Sequence, residues 1–412
     1  MSAAATRPEA PPHPTHQDVR RRLDRARKGM FARLYATIAL ALRMMFYDKP
    51  KLIGTTLGVV FAVVLSAQQL GILFGLLQKN TMFVDNAQAD VWVTPPGTNQ
   101  LQPGKRLAES VLVTARSTPG VAVASPLIYG TGSVQRPAGG SEPVTIIGLE
   151  VPATSDGSWL GGPWNIVRGD RRSLALPNAA FFEDARREKM GDVNFGSVRE
   201  VNGYEVSVMG LTWGLLPFGP PYAFFEAKLA RNLLGVGPEE QHFVLIQVAP
   251  GESPDVVAER LAARLPETRV LTRPAFHDAI VKTLLGEQLG VTFGTSTAFG
   301  LLIGFIIVAL SMFSSVLDNI KEFGTLKAIG ATSGDLSRLL VVQSVMYAVL
   351  GSFIGLGMVG FAAEGIRSAS LAMIVPLPLV IATPLVMTTL CVFASVLALR
   401  RVRKLEPGMV FR

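Results

Sequence analysis

Cysteine is almost absent from this chain: one occurs, Cys391, and it lies inside a C-terminal apolar run. An intrachain disulfide and a thiolate metal cluster are therefore excluded. Histidine is nearly as scarce. His13 and His16 sit in a Pro- and Ala-rich opening segment, while His242 and His277 are the only histidines of the long middle region, with no His-Glu-x-x-His around them. No zinc-ligand pattern is present. His277-Asp278 reads as a solvated helix pair, and the paired carboxylates Glu183-Asp184 and Glu239-Glu240 fall in charged or turn contexts that predict solvated faces. A phosphate loop is also missing. Gly104-Lys105 is followed by Arg106 where Ser or Thr is required, and Asn99 stands where the first glycine belongs. ATP binding by that device is excluded, and no residue pattern points to an enzyme active site.

Charge is scarce as well, at 17% of residues against 49% hydrophobic, too little for an ordinary soluble domain of this length. Where the charge lies decides what it means. The first 51 residues carry eleven cations, from Arg7 to Lys51, and the tail adds Arg400, Arg401, Arg403, Lys404 and Arg412. Between Gln78 and Thr292 the chain is slightly acidic, with 19 basic and 22 acidic residues. Basic flanks beside apolar runs are the positive-inside signal, which places both termini in the cytoplasm of a multi-pass membrane protein. This distribution argues against nucleic acid as a partner and for membrane lipid.

Taken in order, residues 1–16 read as a disordered cytoplasmic tail. Residues 17–50 read as a basic amphipathic helix in the interface plane, its stripe formed by Leu34, Ile38, Leu42 and Met45. Four apolar runs come next: 51–78, 291–317, 339–363 and 379–399, with 400–412 a basic cytoplasmic end. Glycines spaced by four recur in these runs, as Gly54 and Gly58, Gly71 and Gly75, Gly300 and Gly304, and Gly351 and Gly355. Such spacing permits close helix approach. Residues 79–290 form the soluble part. Strand-like segments at Ala89–Val93, Glu142–Val151, Gly203–Leu211 and His242–Val248 are separated by Gly- and Pro-rich punctuation. Ser253 and Pro254 open a helix, and Arg269–Arg273 comes after it as a strand, which predicts a small split βαβ unit. A stalk helix containing Ile280, Leu284 and Leu285 then leads back to the membrane. The fold expected is an α-helical membrane protein with four transmembrane helices plus an α+β extracytoplasmic domain, of two lobes, inserted between the first and second spans.

The stretch between the second and third runs is of a different kind. In Val316–Leu340, Asp318, Lys321, Glu322 and Lys327 are charged while Ile320, Phe323, Leu326 and Ile329 recur at helical spacing. This predicts a short amphipathic surface helix, ended by Gly330 as a C′ residue. Ser333 or Thr332 then caps the next helix, with Asp335 in its first turn. The wording Glu-x-Gly-x-Leu-Lys-Ala-Ile-Gly-Ala-Thr between two spans resembles the permeases of the FtsX/MacB superfamily of ABC transporters. The pre-span segment ALRMMFYDKPKL, the four-span plan and the closing ALRRVRKLEPGMVFR extend the resemblance over nearly the whole chain. The first span, LGVVFAVVLSAQQLGILFGLL, is similar to that of DevC-type permeases.

The resemblance carries expectations of its own. It implies residues 318–338 as a cytoplasmic coupling segment, with Glu322, Phe323, Leu326, Lys327, Ile329 and Gly330 meeting an ABC ATPase subunit dimer. It implies a second copy of the chain, a membrane-fusion adaptor protein, ATP and Mg on the partner ATPase with no cofactor in this chain, and a bacterial inner membrane. The function implied is the permease subunit of an exporter of a lipid or other hydrophobic compound, itself not an enzyme. Two alternatives stay open here: a lipoprotein-release permease, and a non-transporting sensor or scaffold of the cell-division type.

Overall fold

Of the four apolar runs, the first is part of a helix much longer than a membrane requires. The computed structural model describes residues 37–152, 158–217, 219–286, 288–318, 332–365 and 373–402, together with Glu322, Gly324, Thr325 and Gly330. The expected tail (1–16), the first part of the interfacial helix and most of the basic end lie outside the described residues. A short helix α1 (Thr37–Tyr47) precedes α2 (Lys49–Asn86), which has 38 residues. At 1.5 Å per residue α2 is about 57 Å long, nearly twice a hydrocarbon core of ~30 Å. The excess is used by the soluble domain. Beyond the expected end at residue 78, Phe83 and Val84 are completely buried in that domain's core.

The described residues fall into two compact units, one drawn from within 1–67, 298–359 and 377–412, the other from within 68–297 and 360–376. The second unit is built on a ten-stranded mixed sheet. Its strands are β1 (Val91–Thr94), β3 (Val121–Gln135), β4 (Ser141–Leu149), β5 (Ile166–Gly169), β6 (Ala179–Glu183), β7 (Val198–Val201), β8 (Tyr204–Thr212), β9 (Tyr222–Glu226), β11 (Phe243–Val248) and β12 (Arg269–Thr272). The spatial order is β12-β1-β11-β3-β4-β9-β6-β8-β5, with β7 bridging β3 and β8. A separate two-residue ribbon joins β2 (Leu107–Ala108) to β10 (Glu240–Gln241). β1 lies antiparallel between β11 and β12, and helix α5 (Pro254–Arg264) connects those two. This is the split βαβ unit that the sequence predicts.

The central strands of the sheet are dry on both faces, and the alternation of side chains sorts them. One face carries Trp92, Phe243, Leu245, Leu127, Ile147, Phe224 and Phe181, packed with the end of α2 and with α6 (Arg273–Gly286) through Phe276, Ile280 and Leu284. On the other face, Val91, Val93, Val244 and Ile246 pack on α3 (Glu109–Arg116) and α5. Further along that face, Ile128, Ile146, Ala223 and Phe225 pack on α4 (Ala227–Leu234). Burial on both faces explains why β6, β9 and β11 read as near-continuous apolar runs rather than alternating ones. Where two lobes are expected from the punctuation, one continuous sheet joins them.

The first unit is helical. α7 (Gln288–Asp318), α8 (Ser333–Gly365) and α9 (Leu377–Val402) join the first part of α2 as four helices long and apolar enough to cross a membrane. The chain is thus an α-helical membrane protein with four candidate spans and an α+β domain between the first and second.

Candidate functional site

The span glycines lie where helices meet. A Cβ added to Gly304 would collide with Ala62 Cβ, one at Gly351 with Val59, one at Gly355 with Val63 and one at Gly58 with Ile307. A Cβ at Gly300 would stand 3.3 Å from Leu65 Cβ. Thus α7 and α8 both press against α2, whose Val59, Ala62 and Val63 are fully buried. Gly54 differs, because a Cβ there would meet nothing within 4 Å. Gly71 faces the chain ahead of α9: its carbonyl accepts from Ile374 N at 3.1 Å, and a Cβ would touch Met373. Gly75 is buried.

At the opening of α2, the Lys51 ammonium donates to Asp318 Oδ2 at 2.8 Å, joining the first turn of α2 to the last residue of α7. One turn further, the Thr55 and Ser311 hydroxyls are hydrogen-bonded to each other, and Thr55 also donates to Lys51 O at 2.9 Å. Just past α7 comes the amphipathic segment. Glu322 is helical and exposed. Phe323, Leu326, Lys327 and Ile329 lie outside the described residues. Gly330 is an exposed turn residue with φ +106°, a conformation open to glycine and strained for other residues. Thr332, one of the two capping candidates, is engaged with Asp335. Its hydroxyl accepts from Asp335 N at 3.2 Å, and its own amide donates to Asp335 Oδ2 at 3.1 Å. Each end of this pair satisfies an otherwise orphan donor of α8.

In the α+β domain the structure corrects one expectation. Glu183, placed by sequence on a solvated face, is completely buried. Its carboxylate accepts from Gly214 N at 2.7 Å, Leu215 N at 3.0 Å and Thr212 Oγ1 at 3.0 Å. Burial raises its pKa above the usual carboxylate range, against these hydrogen bonds, which act to lower it. Lys79, on the part of α2 beyond the first span, donates to Leu216 O at 3.1 Å and lies close enough to Glu183 to feel its charge. The loop 213–216 is therefore held by its amides from β6 and by its carbonyl from α2. The sequence does contain a signal for this. The strands AAFFE (179–183) and YAFFE (222–226) each end in a glutamate that caps the helical turn after it: Glu183 accepts from Ala185 N, and Glu226 from Lys228 N and Leu229 N.

The two middle histidines are placed differently from each other. His277, expected as a solvated partner of Asp278, instead bonds Asp85 of α2 through Nδ1 at 2.9 Å. His242 is buried, and its Nδ1 accepts from Tyr129 N at 3.2 Å. Burial, aided by Arg106, lowers its pKa to about 4, so it is neutral at physiological pH. Among the described residues no cluster of His, Cys, Asp and Glu is arranged to hold a metal ion.

Two helices, α2 and α7, begin in one unit and end in the other. A bundle of spans whose helices continue into an inserted α+β domain defines a membrane protein of the permease class. Comparison with known proteins makes this specific. Residues 52–264 match the family described as MacB-like periplasmic core domain, and residues 294–407 match the FtsX-like permease C-terminal family. The chain belongs to the FtsX/MacB family of ABC transporter permeases.

Relatives named ABC transporter permease include MJ1507 of Methanocaldococcus jannaschii, 29% identical over 28% of this chain and 30% of that protein. YknZ of Bacillus subtilis is 26% identical over 42% of this chain and 45% of YknZ, so these matches span less than half of either relative. Rv0072 of Mycobacterium tuberculosis is 24% identical over 90% of this chain and 98% of its own length. Among solved structures, the periplasmic region of MacB from Actinobacillus actinomycetemcomitans covers 50% of this chain and 99% of its own, at 10% identity and a TM-score of 0.35.

Proposed function

We propose that this chain is the permease subunit of an ABC-type exporter of the DevC kind, working as a homodimer with two copies of a separate ATPase subunit that holds ATP and Mg. In this reading ATP-driven closure of the ATPase pair moves residues 318–338, the spans tilt, and the α+β domain moves with them. The cargo is a lipid or other hydrophobic compound, passed on with an adaptor protein, and both termini lie on the cytoplasmic side of the inner membrane.

One observation carries the reading: the helix that forms the first span continues without a break into the hydrophobic core of the domain. A displacement of such a helix cannot be absorbed by a flexible linker. The grip of Lys79 on Leu216 O and the capped start of α8 at Thr332 support it, because both fix the ends of segments that would have to transmit force. The spans are also poor in charged side chains that would line a polar channel, which favours a cargo handled outside the bilayer.

The test is co-purification of the tagged chain in mild detergent. Recovery of an ATPase and an adaptor is expected, and replacing Phe323 and Leu326 by Asp should abolish permease-stimulated ATP hydrolysis while the spans stay folded. A folded preparation without any ATPase, or unchanged stimulation in the double variant, would refute the coupling role. An ATPase recovered together with a lipoprotein carrier would redirect the substrate to lipoproteins.

A further inference from the structure

Of the four tryptophans in the α+β domain, Trp213 is the most exposed. It is 52% accessible, whereas Trp92 is fully buried and Trp159 and Trp164 are half-buried. Its place in the domain is fixed by short ties to α2. Trp213 N donates to Asn165 O at 3.1 Å, and Asn165 Nδ2 donates to Trp213 O at 3.2 Å. The neighbouring Trp164 ring packs on Phe83 of α2, with centroids 6.0 Å apart. Three residues after Trp213, Leu216 O accepts from Lys79 Nζ at 3.1 Å. The loop 213–217 therefore stands level with the stretch of α2 from Lys79 to Phe83, about 6 Å of helix.

The length of α2 says what surrounds that level. From Lys51 to Lys79 the helix rises about 42 Å, and a tilt of about 20° shortens this to about 40 Å. A bilayer measures ~40–45 Å with its headgroups included. A membrane whose near surface meets α2 at Lys51 thus has its far headgroup layer at Lys79. The chemistry of the loop suits that layer. From Trp213 to Tyr222 the sequence holds no charged residue. Arg186, in the turn after β6, lies close enough for its charge to act on Lys79. An indole flanked by cations is the pairing that headgroup layers favour: the ring meets chain carbons, its N–H an ester oxygen, and the cations the phosphates.

We infer that the rim of the α+β domain at Trp213 rests in the phospholipid headgroup layer on the domain's side of the membrane, with the Trp213 indole inserted beside the lipid esters. The loop is already held by Glu183 through the amides of Gly214 and Leu215 and by Lys79 through Leu216 O, so insertion orders little further backbone. A soluble partner reaching Trp213 at this level would first have to displace headgroups. The domain is then braced twice against the bilayer, by the helix that leaves it and by a rim that touches its surface. The inference requires only that α2 spans a membrane and does not depend on ATPase or cargo.

The test uses the full-length chain, without ATPase or adaptor, in nanodiscs of phosphatidylcholine that carries a nitroxide either near the ester or at the far end of one acyl chain. The nitroxide near the ester should quench about a quarter of the tryptophan emission, the share of one indole in four, and about twofold more than the nitroxide at the chain end. Trp213→Phe, at an exposed side chain, should remove this quenching and leave the remaining emission in place. Aqueous iodide should quench the wild-type chain in nanodiscs no more than the Phe variant. Wild-type emission unmoved by either nitroxide, or quenching that survives in Trp213→Phe, would overturn the inference. An indole shielded from iodide yet untouched by both nitroxides would also overturn it, and would assign the rim to contact with protein, a second copy of this chain being the one present.

Discussion

Replacing Glu183 tests whether the 213–216 loop is held as the geometry implies. In Glu183→Ala the amides of Gly214 and Leu215 lose their acceptor inside the protein, as does that of half-buried Ala185, which water can reach, while the Thr212 hydroxyl can still turn to Phe182 O at 3.3 Å. The buried Leu215 donor at about 1–3 kcal/mol and a smaller loss at the exposed Gly214, reduced by relief of the buried carboxylate, leave a net loss of about 2 kcal/mol. For a domain of this size that corresponds to a fall of about 4–8 °C in Tm. Glu183→Gln keeps one oxygen for Gly214 but turns its NH2 toward Leu215 N–H, so it should cost about half as much. All four tryptophans, Trp92, Trp159, Trp164 and Trp213, lie in the α+β domain, so fluorescence of the full-length protein in detergent reports this domain alone.

The same variants carry a pH signature. The folded pKa of Glu183 is raised, so its contribution is fully present below the unfolded value and is lost as pH rises through the folded one. Glu183→Gln should remove that slope. An alanine variant within about 0.5 kcal/mol of wild type, or a glutamine variant less stable than the alanine one, would refute the account.

Three other outcomes rest on single contacts. The folded His242 pKa of about 4 lies below its unfolded value, so stability should fall as pH drops from about 6.5, by about 2 kcal/mol at pH 5. His242→Asn, which keeps an acceptor for Tyr129 N–H, should flatten the tryptophan-detected profile between pH 7 and 5. Gly304→Val should lower thermal stability in detergent by about 1–3 kcal/mol through its clash with Ala62, whereas Gly54→Val, facing open space, should be silent. Equal effects at the two glycines would refute the packing argument. Thr332→Val should cost about 1 kcal/mol at the start of α8 and speed hydrogen exchange of its first-turn amides about fivefold, leaving mid-helix amides unchanged.

Much of this architecture is legible in the sequence because the bilayer imposes a simple rule. Each span needs a long apolar run, and glycines mark where helices approach closely. The split βαβ unit is legible too, since Ser253 and Pro254 announce a helix between two β-branched runs. Other features are not. β6 and β9 are buried on both faces, so they carry no alternation to distinguish strand from turn. Placing the end of the first span at residue 78 does not reveal that its helix runs on to Asn86 or that Lys79 is buried against Leu216 O.

The membrane class, the number of spans, the inserted α+β domain and the family are all properties of the linear chain, because they depend on local runs of residues and on their wording. Folding in three dimensions was needed to settle which glycines touch a neighbour, that α2 and α6 share one face of the sheet, and that Glu183 is a buried clamp rather than a surface charge. Those properties depend on which residues, distant in sequence, exclude water from one another.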